Sequence, residues 1–211
     1  MIRFLIWDAG GTLFDTYPAV TRAFEQGLAD LGAAMPAGDI MALARQSTQH
    51  AINTLARETG VAPRRLAETF RRRYDAIPPE VQPPFPGVRA LCAFICERGG
   101  QNFIVTHRGR ASLMGLLRAH QMESYFSDIL TKEDPFPRKP DPAAIEALIR
   151  RHDLDRDATL LIGDRDLDIL AARAAGIRTC FFGAGEHTAP ADIEITAYAE
   201  LHAWISGENG F

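Results

Sequence analysis

Residues 2–7, IRFLIW, form a short apolar run that stops at Asp8. That is how a strand buried on both faces reads when a polar residue stands at its carboxyl end. The next stretch, AGGTLFDT at 9–16, is glycine-rich and must turn. From about 17 to 77 the apolar residues recur at three- and four-residue spacing, as in Phe24, Leu28 and Leu31 and in Leu66, Phe70 and Tyr74. This period predicts helices throughout and no strand, with Asp39 and Thr48 as candidate N-caps. Residues 77–87, IPPEVQPPFPG, hold five prolines in eleven positions. Helix cannot persist there, so the segment reads as a stiff connector and a boundary.

Beyond the connector the pattern changes to alternating strands and helices. Strands are expected at 103–106 (FIVT), 128–130 (DIL), 159–163 (TLLIG) and 179–183 (TCFFG). Helices fit 87–98, 110–120, about 141–152, 166–175 closed by Gly176, and about 196–206. Alternation of this kind means a parallel sheet covered by helices on both faces. The expected fold is therefore α/β: a Rossmann-like parallel core formed by 1–15 and 86–211, interrupted by an all-helical insert at 16–85. In such sheets ligands sit beyond the carboxyl ends of the strands.

Composition narrows the function classes. A chain of 211 residues accommodates one core domain and one insertion. A net charge of -4 and a pI near 5.9 argue against a protein that grips nucleic-acid backbone. Cys92, Cys96 and Cys180 form neither a disulfide framework nor a zinc spacing, and Cys92 and Cys96 read as buried thiols. The apolar N-terminal run is too short for a secretory core, and no run approaches the ~20 residues of a membrane span. These features predict a cytoplasmic protein with no membrane or nucleic-acid partner, as a monomer or a homodimer. The arginines at 64, 65 and 71–73 read as a solvated helix face.

The residues at the strand ends carry the chemistry. Asp8 ends the first strand and is followed by Ala9-Gly10-Gly11-Thr12, whose glycines let backbone N–H groups approach a ligand. Thr106 ends the next strand, and Lys139, one of only two lysines, lies in RKPDP after a third. Gly163-Asp164-Arg165-Asp166-Leu167-Asp168 closes a fourth with three carboxylates in five residues. Carboxylates with few nitrogen ligands suit a hard cation such as Mg²⁺. Lysine, hydroxyl and amides suit phosphoryl oxygens, and a carboxylate between them is a plausible nucleophile.

FLIWDAGGTLFDT (4–16), NFIVTHRG (102–109), RKPDP (138–142) and LLIGDRDLDILAARAAGI (160–177) occur in an order that resembles the haloacid dehalogenase-like (HAD) superfamily. The likeness is to its helical-cap, phosphoglycolate phosphatase-like branch. That resemblance implies an Mg²⁺-dependent phosphohydrolase acting on a small phosphorylated metabolite. Asp8 matches the nucleophile that becomes an aspartyl-phosphate, Thr106 a phosphate-holding hydroxyl, and Lys139 a charge-balancing cation. Asp8, the carbonyl of Gly10, Asp164 and Asp168 match the metal site. Ala9, Gly10 and His107 are placed to bind substrate. The cap of such enzymes closes over the site and helps select the substrate.

One position departs from the pattern. The family's phosphatases carry a second aspartate, a general acid–base, two residues after the nucleophile; here Gly10 stands there. Losing such a group costs ~10²–10⁴ in rate. Asp15, Tyr17, His50 and His107 are candidate replacements, and His107, titrating near neutrality, has the best placement. Two alternatives remain: a weakly active or non-catalytic phosphate-binding relative, and a metal-independent dehalogenase, against which the Asp164 and Asp168 carboxylates count. A phosphonate-cleaving enzyme using a cap lysine does not fit, because 17–77 contains no lysine.

Overall fold

A computed structural model describes residues 1–184 and 187–207. The chain forms two compact units, one of residues 1–14 and 84–211 and the other of residues 15–83.

The first unit is built on six parallel strands: β1 (Phe4–Trp7), β2 (Gln101–Val105), β3 (Phe126–Leu130), β4 (Thr159–Gly163), β5 (Arg178–Phe182) and β6 (Ile193–Ile195). Their order across the sheet is β3-β2-β1-β4-β5-β6. Alternation along β1 shows why its apolar run is continuous. Leu5 and Trp7 enter one core with Leu91, Ile104, Leu113, Ile162 and Leu201, while Ile6 enters the other with Phe103, Leu148, Leu161 and Ala172. Both faces are dry, and each fully buried side chain of this size contributes roughly 1.5–3 kcal/mol. In register, Trp7 pairs with Ile104 of β2 and Ile162 of β4, so the central strands end together.

Elsewhere the structure refines the expectations. β6 lacks a signal because it is three residues long, with Glu194 in its middle. β3 begins two residues earlier than the apolar DIL core. Within 77–87 the only helical turn is a single 3₁₀ turn at Pro79–Val81. Cys96 is exposed, unlike Cys92, because in the last turn of its helix, Val88–Glu97, it is Ile95 that faces the core.

The second unit consists of four helices, α1 (Tyr17–Ala29), α2 (Ala37–Gln46), α3 (Thr48–Thr59) and α4 (Pro63–Asp75). Phe24 and Phe70 stack at 4.0 Å within an apolar core that includes Leu28, Ile40, Leu55 and Leu66. The N-caps differ from expectation. Ser47, extended at φ -174°, accepts the His50 N–H and caps α3, leaving Thr48 as its first residue. Asp39 lies inside the first turn of α2, behind Pro36. Arg72 and Arg73 of the basic run pair with Asp30, and Arg64 pairs with Glu68.

Candidate active site

The carboxyl ends of β2, β1 and β4 are neighbours, and each delivers a residue. Asp8 follows β1, anchored by its N–H to Ile162 O at 2.9 Å. Behind it the chain folds back tightly: Phe14 N–H donates to Ala9 O, and Gly11 N–H to Phe14 O, both at 2.9 Å. Gly11 sits at φ +87°, where a Cβ would be strained. The Tyr198 hydroxyl, on the helix Tyr198–Ser206, pins this loop by donating to Thr12 O at 2.8 Å. Thr12 in turn donates its hydroxyl to Asp164 Oδ1 at 3.1 Å, joining the ends of β1 and β4.

Lys139 is the centre of the arrangement. Its Nζ lies 2.6 Å from Asp8 Oδ1, 2.6 Å from Asp168 Oδ1 and 2.8 Å from Val105 O. The ammonium donates to Asp8 Oδ1 and Val105 O and is ion-paired with Asp168. The side chains of Lys139, Asp8 and Asp168 are about 1% exposed or less. Burial alone would raise the Asp8 carboxyl, but Lys139 and then Arg165 outweigh it and hold it below the usual carboxylate range. Asp168 moves the other way, raised by burial and by the Asp8 charge despite Lys139. Burial would lower Lys139, but Asp168 and Asp8 raise it, so it stays charged.

Asp168 also accepts the Arg165 N–H through Oδ2 at 3.2 Å, fastening the start of the helix Asp166–Ala174. Gly163 makes this approach possible, since a Cβ there would lie 2.3 Å from the Asp168 Cβ. Asp8, Asp164 and Asp168 each offer a carboxylate oxygen, and these oxygens lie within 4.8 Å of one another. Asp166, the third carboxylate of that segment, belongs elsewhere: it accepts the N–H groups of Thr188 and Ala189 and the Thr188 hydroxyl.

Thr106 is buried and accepts the Arg108 N–H at 3.1 Å, which orients its hydroxyl oxygen. His107 accepts the Lys139 N–H through Nε2 at 2.9 Å, which places the ring proton on Nδ1. Burial, with Lys139 and Arg165 nearby, lowers its pKa to about 4. This corrects the expectation of titration near neutrality: at pH 7 the ring is a neutral Nδ1–H donor and cannot serve as an acid with a matched pKa. Asp15, Tyr17 and His50 lie in the helical unit. There the Arg45 guanidinium stacks 5.0 Å from the Tyr17 ring, burial raises the Asp15 carboxyl, and His50 lies 3.5 Å from the Thr54 hydroxyl.

Sequence reasoning passed over three contributors. Thr12 and Tyr198 act through a loop and a helix 186 residues apart, a pairing no local pattern carries. Arg165 had a local signal, as a cation wedged between Asp164 and Asp166. Its Nη2 lies 4.0 Å from Asp8 Oδ1 and its Nε 3.9 Å from Asp168 Oδ2.

The chain has known counterparts in sequence and fold. Residues 5–182 match the family model described as haloacid dehalogenase-like hydrolase. The plasmid-encoded phosphoglycolate phosphatase of Cupriavidus necator is 30% identical over 178 residues, spanning 82% of this chain and 77% of that protein. The phosphoglycolate phosphatase of Vibrio cholerae serotype O1 is 28% identical over 190 residues, spanning 83% and 81%. Among solved structures, a hydrolase from Streptococcus pneumoniae TIGR4 superposes with a TM-score of 0.67 at 28% identity, covering 97% of this chain and 98% of that one. With the match running through most of its length, the chain belongs to the haloacid dehalogenase-like hydrolase family and is phosphoglycolate phosphatase-like in sequence.

Proposed function

We propose that this hydrolase is an Mg²⁺-dependent phosphatase that cleaves a small phosphorylated metabolite through a phosphoryl group carried on Asp8. The observation that carries the reading is the buried Asp8–Lys139–Asp168 cluster. A carboxylate held ionised beside a fixed ammonium is a nucleophile at neutral pH. Phosphoryl transfer asks mainly for positioning and charge stabilisation, which buried, ion-paired side chains supply.

The roles follow from the contacts. Asp8 attacks phosphorus, and the leaving-group oxygen departs with the P–O bonding pair and takes any proton it needs from solvent. Lys139 keeps the attacking oxygen charged and offsets the phosphoryl group, and Asp168 holds the lysine in place. Thr106 donates its hydroxyl to a phosphoryl oxygen. The N–H groups of the Ala9-Gly10 turn and the Nδ1–H of His107 are the neutral donors for that group. Water then cleaves the acyl-phosphate and frees Asp8.

The donor set fits a hard divalent cation, since clustered carboxylate oxygens are the ligands Mg²⁺ prefers. Asp8, Asp164 and the Gly10 carbonyl would hold it, with Asp168, already bonded to Lys139 and the Arg165 N–H, behind them. When bound, Mg²⁺ supplies charge neutralisation to the transferring phosphoryl group.

Gly10 has no side chain to protonate a leaving group, so the reading favours substrates whose leaving groups need little protonation. The similarity to phosphoglycolate phosphatases supports a small anionic phosphomonoester. The test is phosphate release from an aryl phosphate, with and without Mg²⁺, in the wild type and in Asp8→Asn. Metal-dependent release that vanishes in the variant is expected. Release indifferent to Asp8 contradicts the reading, and its absence from the wild type turns attention to haloacids and to phosphate binding without turnover.

A further inference from the structure

The proposed chemistry brings a dianionic phosphoryl group against Asp8, Asp164 and Asp168. Lys139 is the obvious cation to receive it, but its Nζ already donates to Asp8 Oδ1 and Val105 O and is ion-paired with Asp168 at 2.6 Å. A phosphoryl oxygen would compete with those acceptors for the lysine. A second cation stands at the same place. Arg165 is the residue after Asp164, at the carboxyl end of β4, and its guanidinium lies 4.0 Å from Asp8 and 3.9 Å from Asp168. Both are ion-pair distances. They are the spacing of charges that share a site. Its side chain is 21% exposed, against 1% for Lys139, so a ligand reaches it where the lysine is sealed.

We propose that Arg165 is a substrate-binding residue of this hydrolase, whose guanidinium takes a non-bridging oxygen of the phosphoryl group brought to Asp8. The assignment rests on the phosphatase reading and deepens it. The guanidinium is planar, permanently charged and shaped for paired contact with phosphate, which an ammonium is not. It also alters the charge of the site. Three carboxylates face Lys139 alone at a formal charge of -2, and with Arg165 at -1, which lessens the repulsion of an incoming anion.

Calorimetric titration of the Mg²⁺-loaded full chain with inorganic phosphate tests this, in the wild type, Arg165→Gln and Arg165→Lys. Charge-assisted hydrogen bonds of this kind predict a loss of about ten-fold or more in phosphate affinity for Arg165→Gln. Arg165→Lys should fall between that variant and the wild type. In parallel, Mn²⁺ affinity, read from water proton relaxation, stays equal or tightens in Arg165→Gln, because a positive neighbour has been taken from the carboxylates. Equal phosphate affinity in wild type and Arg165→Gln overturns the assignment and leaves the phosphatase reading intact. Joint weakening of phosphate and Mn²⁺ also overturns it, since that marks a residue that only holds the site together. A wild type that binds no phosphate overturns it as well, and Asp8-dependent release from the aryl phosphate then decides the phosphatase reading separately.

Discussion

Lys139 meets Asp8 across 131 residues of sequence, and the contact decides what both residues can do. Removing one partner of such a buried cluster costs about 3–5 kcal/mol, because the others are left uncompensated. The identities of Asp8, Thr106, Lys139, Asp164 and Asp168 were legible because each stands at a strand end or in a recognisable motif. Their hydrogen-bond states were not, since those depend on partners brought in by the fold. His107 is the clearest case. Its position invited an acid–base role, whereas the Lys139 N–H and the surrounding cations make it a neutral donor. Two predictions belong to this scale. If Asp8 is the nucleophile, Gly10→Asp supplies an acid–base carboxyl two residues after it and should raise kcat on an alkyl phosphate by ~10²–10⁴, measured as phosphate release. His107 titrates at about 4 when folded and near 6.5 when unfolded, so the unfolded chain binds more protons between those values. Stability therefore rises with pH across that window and is lost on acidification through it. Urea midpoints at pH 5 and pH 7 should differ less in His107→Gln than in the wild type.

At the level of elements, the site exists because β2, β1 and β4 lie side by side and end in register. The apolar runs announced these strands, and their burial on both faces explains why the runs lacked alternation. β6 and the Ser47 cap were missed for opposite reasons. The strand is too short and too polar to carry a pattern, while the cap was displaced one residue by a plausible neighbour, Thr48. Gly163 shows how closely element packing and chemistry are tied. It ends β4 where the Asp168 side chain comes closest to the backbone. Gly163→Ala forces a Cβ into Asp168 and should cost about 1–3 kcal/mol in urea unfolding. The same shift moves the carboxylate that holds Lys139, so kcat should fall more than the stability loss alone explains.

The molecule as a whole is a parallel α/β unit and a four-helix unit encoded by a single interruption after β1. The change of periodicity at the proline-rich segment made that interruption readable. Substrate choice was not readable, because it depends on how side chains from distant segments surround the reacting group. Arg165 illustrates the difficulty: its charge is plain in the sequence, but its place beside Asp8 appears only in the fold. If Asp8 carries the phosphoryl group, the phosphoenzyme can be trapped. The full chain is mixed with an aryl phosphate and Mg²⁺, quenched in acid within milliseconds, digested and analysed by mass spectrometry. A phosphoryl mass is expected on the peptide containing Asp8, removed by hydroxylamine and missing from Asp8→Asn. Phosphate release in the same reaction mixture with no phosphopeptide at Asp8, or with the label on another residue, would contradict it.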